Sequence, residues 1–249
     1  MKKECLGEFI GTFTLVLFGC GTVGTAVLFN TFSSLFEVAL LWGFGVMMAI
    51  FVSRKLSQAH LNPAVSVAMV LSSKLEKRKL FPYIGSQFLG AFVASILLFE
   101  MFGSAIEQFE AANNLVRGGI GSEKTAMMFG EFFPNPGYVD KVSINWIQAF
   151  FLEALGTFML LLVIFNVSDN VKNNDLPPVL IGITITILIC LIAPFTQAGF
   201  NPARDFGPRL FSYFAGWNKI AIPNFEVILV YVIGPITGSM LSALIYNLV

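Results

Sequence analysis

Ala59-His60-Leu61-Asn62-Pro63-Ala64-Val65 decides the fold, because Gly199-Phe200-Asn201-Pro202-Ala203-Arg204-Asp205 repeats its centre 139 residues later. Asn is a favoured N-cap, and a proline at the first helical position loses no hydrogen bond that it needed. Each Asn-Pro-Ala therefore opens a helix. The apolar stretches that follow, 65–71 and 206–214, are short, and about ten residues give about 15 Å of helix at 1.5 Å per residue. That is about half the thickness of a hydrocarbon core. Two half-length helices at matching places in a repeated membrane chain point to a site near the bilayer midplane.

The composition agrees with a membrane as solvent: 56% hydrophobic residues, 12% charged residues and 27 phenylalanines in 249 positions exceed the apolar content of ordinary soluble domains. Spans of the length needed to cross, about 20 residues, are predicted at 5–28, 36–53, 80–102, 145–166, 177–195 and 225–247. The first lacks a small-x-small cleavage site followed by a polar start, so it is expected to be retained as a span. Net charge is zero, which gives no reason to expect a nucleic-acid partner. The basic residues are nevertheless uneven. If six spans alternate, Lys2, Lys3, Arg54, Lys55, Lys74, Lys77, Arg78, Lys79 and Lys172 fall on one side. Dense cationic clusters close to spans mark the cytoplasmic side, so both termini are expected to be cytoplasmic.

The whole chain, 1–249, reads as a single membrane domain made of a duplication. Repeat one covers about 4–103, an exterior loop 104–143, and repeat two about 144–249. Leu6-Gly7-Glu8-Phe9-Ile10-Gly11-Thr12-Phe13 matches Leu152-Glu153-Ala154-Leu155-Gly156-Thr157-Phe158 in the spacing of Glu, Gly, Thr and Phe, and Gly43 precedes Asn62 by the same 19 residues that separate Gly182 from Asn201. Three spans per repeat force the two halves to cross in opposite senses, so one half-helix enters from each face. An all-α membrane fold of six crossing helices and two re-entrant half-helices is expected.

Glu8 and Glu153 are ionisable groups inside apolar spans and should face protein or water. They suit either a proton relay or support of the non-helical backbone ahead of each half-helix, whose N–H groups need partners at that depth. The duller, supporting role is favoured by their symmetric positions. His60 is the one histidine and has no second His, Cys or acidic cluster beside it, so no metal site is indicated. Cys5, Cys20 and Cys190 show no ligand or disulfide spacing. No cofactor and no catalytic Ser, Cys or carboxylate arrangement is apparent, and the chain is not expected to be an enzyme. Residues 168–175 form a polar connector with Asp175 and Pro177 marking the next helix start.

Together, the paired Asn-Pro-Ala boxes, the Glu8 and Glu153 repeats and Ser86-Gln87-x-x-Gly90-Ala91 resemble the major intrinsic proteins, the aquaporins, over essentially the whole chain. Asp205 directly after Asn201-Pro202-Ala203-Arg204, Trp42, the loop with Pro134-Asn135-Pro136, and Asp205-Phe206-Gly207-Pro208-Arg209 resemble the glycerol facilitator, or aquaglyceroporin, branch. The resemblance implies a passive channel for glycerol and other small uncharged solutes, with water also passing and ions and protons excluded. It implies pore amides at Asn62 and Asn201, with Pro63, Ala64, Pro202 and Ala203 joining the half-helices. Backbone carbonyls of Gln58, Ala59, His60, Gln197, Ala198 and Gly199 would line the path, and Gln87 and Asp205 would be supporting residues. A narrow filter is implied at Trp42, Ile189, Ala198 and Arg204. Two of these depart from the branch pattern, which usually has glycine at the position of Ile189 and an aromatic residue at that of Ala198. The combination is similar to that of plant nodulin-type members, which pass glycerol and other small neutral solutes. A homotetramer is implied, and small residues along several spans would let helices pack closely. The alternatives are a water-selective aquaporin, a broader channel for urea, small neutral acids and metalloid hydroxides, and an ion-coupled secondary transporter, which also shows inverted repeats.

Overall fold

The computed structural model describes residues 1–248, which form helices and turns with no strand among them. The helices in order are α1 (Lys2–Phe29), α2 (Leu35–Ser53), α3 (Pro63–Leu71), α4 (Leu80–Ala112), α5 (Glu123–Ala126), α6 (Trp146–Asn170), α7 (Leu176–Thr196), α8 (Pro202–Ser212), α9 (Glu226–Ile228) and α10 (Gly234–Tyr246). A π-helical stretch, Leu229–Ile233, joins α9 to α10, two residues before Pro235, whose missing N–H interrupts the α-helical ladder. Counting α9 to α10 as one, six helices are long and apolar enough to cross a membrane. The two half-helices have 9 and 11 residues.

Two predicted boundaries move. The third span was expected to end at 102, and α4 instead continues to Ala112. Residues 104–112 are less apolar but contain no helix breaker before Asn113, so the helix runs on past the point where hydropathy falls. The connector at 168–175 likewise begins inside α6, which ends at Asn170. Asp175 does precede α7, but its side chain does not cap the helix; its Oδ1 instead accepts a 2.6 Å bond from Arg54 Nη2. The long loop contains the single helical turn α5.

The two repeats interlock rather than sit side by side. Half-helix α3 of the first repeat packs on α10 of the second, and α8 packs on α4. The second crossing helices, α2 and α7, meet at Gly43 and Gly182. A Cβ on either would come within 2.6 Å of the other's carbonyl oxygen, so only glycine allows this backbone approach. Polarity is inside out relative to a water-soluble protein. Phe36, Phe81, Phe151, Leu191 and Phe214 are exposed on the outer surface, whereas Glu8, Gln87, Glu153, Asp205 and Arg209 are fully buried. Outward apolar side chains with inward polar ones are the pattern for a lipid solvent.

Candidate functional site

Each half-helix starts as its sequence predicts. Asn62 Oδ1 accepts the N–H of Ala64 at 2.8 Å, and Asn201 Oδ1 accepts those of Ala203 at 3.0 Å and Arg204 at 3.2 Å. Such caps contribute about 1 kcal/mol each. The amide nitrogens reach across the internal repeat: Asn62 Nδ2 donates to the Phe200 carbonyl at 2.9 Å, and Asn201 Nδ2 to the Leu61 carbonyl at 2.8 Å. Each amide carries two N–H groups. One is committed to the opposite repeat, which leaves the other for a solute in the adjoining cavity.

The backbone ahead of each half-helix is held in an unusual conformation. Ala59 and Leu61 in one copy, and Ala198 and Phe200 in the other, have φ between 51° and 64°. Left-handed backbone costs non-glycine residues about 1 kcal/mol or more each. The buried carboxylates offset that cost. Glu8 accepts the N–H groups of His60 at 3.0 Å and Leu61 at 2.7 Å, and Glu153 accepts those of Gly199 at 3.0 Å and Phe200 at 2.7 Å. Hydroxyls complete each set: Ser57 Oγ donates to Glu8 at 2.8 Å and Thr196 Oγ1 to Glu153 at 2.6 Å. Gln87 Nε2 donates to Glu8 Oε2 at 2.8 Å, and Tyr231 Oη donates to the Thr196 carbonyl at 3.0 Å. With their oxygens occupied in this way, the two carboxylates act as backbone supports. His60 Nδ1 lies 3.2 Å from Ser66 Oγ.

A cavity of about 810 Å³ runs from Arg54, Lys74 and Asp169 at one end, past Gln58, Ala59, His60, Asn62 and Asn201, to Trp42, Ile189, Ala198 and Arg204. A second cavity of about 310 Å³ lies beyond, lined by Asn135, Gln197 and Glu131, and it shares Trp42, Ile189 and Arg204 with the first. The two cavities meet at these three residues. There, the Arg204 guanidinium carbon lies 4.4 Å from the centre of the Trp42 ring, a cation–π contact, and all four expected filter side chains are buried. Of the carbonyl-bearing residues expected along the path, Gln58, Ala59, His60, Ala198 and Gly199 line the large cavity and Gln197 lines the outer one.

Asp205 lies behind the junction rather than in it. Its carboxylate receives Arg209 Nε at 3.0 Å and Nη2 at 2.8 Å, and the N–H of Glu131 at 2.7 Å. Asp205 thus ties the long loop to α8. Glu131 itself was not expected from the sequence. It lies in the linker, which has no counterpart in the repeat, and its one visible signal is an acidic residue within the apolar run Met127–Phe133. Ser57 and Thr196 were also missed, although each stands five residues before its Asn.

With this geometry in place, residues 1–246 match the major intrinsic protein family. The chain belongs to the major intrinsic protein family. Relatives within it include the glycerol uptake facilitator proteins of Escherichia coli strain K12, 37% identical over 99% of this chain and 88% of the relative, and of Pseudomonas aeruginosa, 40% identical over 96% and 86%. The propanediol uptake facilitator of Salmonella typhimurium is 32% identical over 99% of this chain and 93% of its own. Among solved structures, the aquaglyceroporin from Plasmodium falciparum superposes with a TM-score of 0.83 at 28% identity, covering 98% of this chain and 95% of that one. As a major intrinsic protein with six apolar crossing helices, the chain is a multi-pass membrane protein with the aquaporin-like fold.

Proposed function

We propose that the protein is a passive channel for glycerol and other small uncharged solutes, with water as a second permeant. The observation that carries the reading is the junction of the two cavities, where the face of Trp42 opposes the guanidinium of Arg204. A polyol that sheds water in a narrow pore needs an apolar face for its carbons and hydrogen-bonding groups for its hydroxyls. Trp42 and Arg204 supply these at the junction, and the free N–H groups of Asn62 and Asn201 supply donors farther in. The names of the glycerol and propanediol uptake facilitators support the same solute class. Cations meet the positive ends of α3 and α8, whose N-caps sit together at the Asn-Pro-Ala boxes.

Ala198 adds no aromatic wall beside Trp42, while Ile189 occupies space on another side. This favours a filter that also passes urea, small neutral acids or metalloid hydroxides, as the second reading. Ion-coupled transport is disfavoured because Glu8 and Glu153, its candidate ion ligands, are engaged by backbone N–H groups and hydroxyls. Homotetramer assembly in the bilayer, with both termini cytoplasmic, completes the proposal. Stopped-flow light scattering on proteoliposomes, under a glycerol gradient with and without an imposed ion gradient, tests it. Acceleration over protein-free liposomes that ignores the ion gradient is expected; dependence on the ion gradient would point to a coupled transporter.

A further inference from the structure

Arg204 is not a lone charge at the filter. Its Nη2 is in ionic contact with Glu131 Oε1, and both side chains are almost completely buried, at 4% and 1% exposure. Glu131 is fixed at both ends of its own peptide: its N–H donates to Asp205 Oδ1 at 2.7 Å, and its carbonyl accepts from Arg209 Nη2. Arg204 Nη1 and Glu131 Oε2 have no hydrogen-bond partner among the described residues, and both residues line the outer cavity. Asp205 is in turn paired with Arg209. Each of the two buried guanidinium groups behind and at the junction therefore has one carboxyl group beside it.

We propose that Glu131 is a specificity-determining residue of the filter, cancelling the charge of Arg204 so that the constriction offers a neutral donor and acceptor pair to a solute hydroxyl and holds no anion. The proposal rests on the reading of Trp42, Ile189, Ala198 and Arg204 as the filter. A buried guanidinium without a counter-charge attracts small anions strongly in a low-dielectric site. A buried carboxylate without one attracts cations. With both present, a hydroxyl, which donates and accepts at once, is matched while an ion of either sign gains nothing.

The two halves of the pair thus predict opposite faults. In Glu131→Gln, glycerol flux into proteoliposomes becomes sensitive to nitrate, with a half-inhibiting concentration at least about tenfold below that of the wild type, the shift expected from one charge-assisted contact. In Arg204→Ala, the unpaired Glu131 admits potassium or protons, read by a potential-sensitive dye. The double variant Arg204→Ala/Glu131→Gln shows neither fault, because it restores neutrality without restoring either side chain. Glu131→Asp, which keeps the charge, stays insensitive to nitrate and serves where Glu131→Gln reconstitutes poorly. Two results overturn the proposal: nitrate sensitivity unchanged in Glu131→Gln, or a cation leak in the double variant equal to that in Arg204→Ala. If instead Arg204→Ala alters neither leak nor solute preference, it is the placement of the filter that fails.

Discussion

Glu153 receives the N–H groups of Gly199 and Phe200 and the hydroxyl of Thr196 in a site that is fully buried. Glu153→Gln keeps the shape but turns one acceptor into a donor facing a backbone N–H, so at least one charged hydrogen bond is lost and a buried donor is left unpaired. About 3 kcal/mol of destabilisation follows from these two terms, seen as a lower thermal unfolding midpoint in detergent. Glu8→Gln is expected to behave in the same way, because His60, Leu61 and Ser57 reproduce the arrangement. The carboxylates were legible in the sequence, since a charge inside an apolar span must find a partner. Their hydroxyl companions were not, because serine and threonine are common enough in such helices to carry no signal alone. Glu131 lay further out of reach: its role depends on a loop folding back onto α8, which no periodicity reports.

Among elements, α2 and α7 approach each other closely where they cross at Gly43 and Gly182. Gly43→Ala places a methyl group 2.1 Å from Thr186 Oγ1 and 2.6 Å from the Gly182 carbonyl oxygen, so the two helices must separate. Overpacking of this kind costs about 1–3 kcal/mol. Because Trp42 and Ile189 sit on these same two helices, reduced glycerol flux per folded protein should accompany the loss of thermal stability. The ion pair that joins Arg54 to Asp175 is a contrasting case. Asp175 is largely exposed, so Asp175→Asn should change stability by less than about 1 kcal/mol, and a larger loss in the same unfolding assay would mean the connector bears on the bundle. The half-helices could be read from Asn-Pro pairs because capping is local chemistry. The ten-residue extension of α4 could not, since hydropathy marks only the apolar part of a helix and that segment is helical without being apolar.

At the scale of the whole molecule, the inverted repeat places two helix starts against each other and ties each to the other's backbone through Asn62 and Asn201. The duplication was visible because Asn, Glu and Gly recur at fixed offsets, and three spans per repeat required opposite orientation. What the repeat cannot encode is its own asymmetry. Arg204 has Val65 as its counterpart, and the linker supplies Glu131 to one repeat alone, so the proposed filter lies off centre although the scaffold is symmetric. Neutral-solute conduction through a pore pinched at Trp42, Ile189, Ala198 and Arg204 is the central claim. Its most direct test is glycerol and urea permeability, measured side by side in proteoliposomes of the wild type and Ala198→Phe without any ion gradient. The account predicts glycerol entering well above the protein-free rate in the wild type, and a urea-to-glycerol ratio that falls when the aromatic wall is added. Glycerol entry no faster than through protein-free vesicles, or a ratio that Ala198→Phe leaves unchanged, would contradict it.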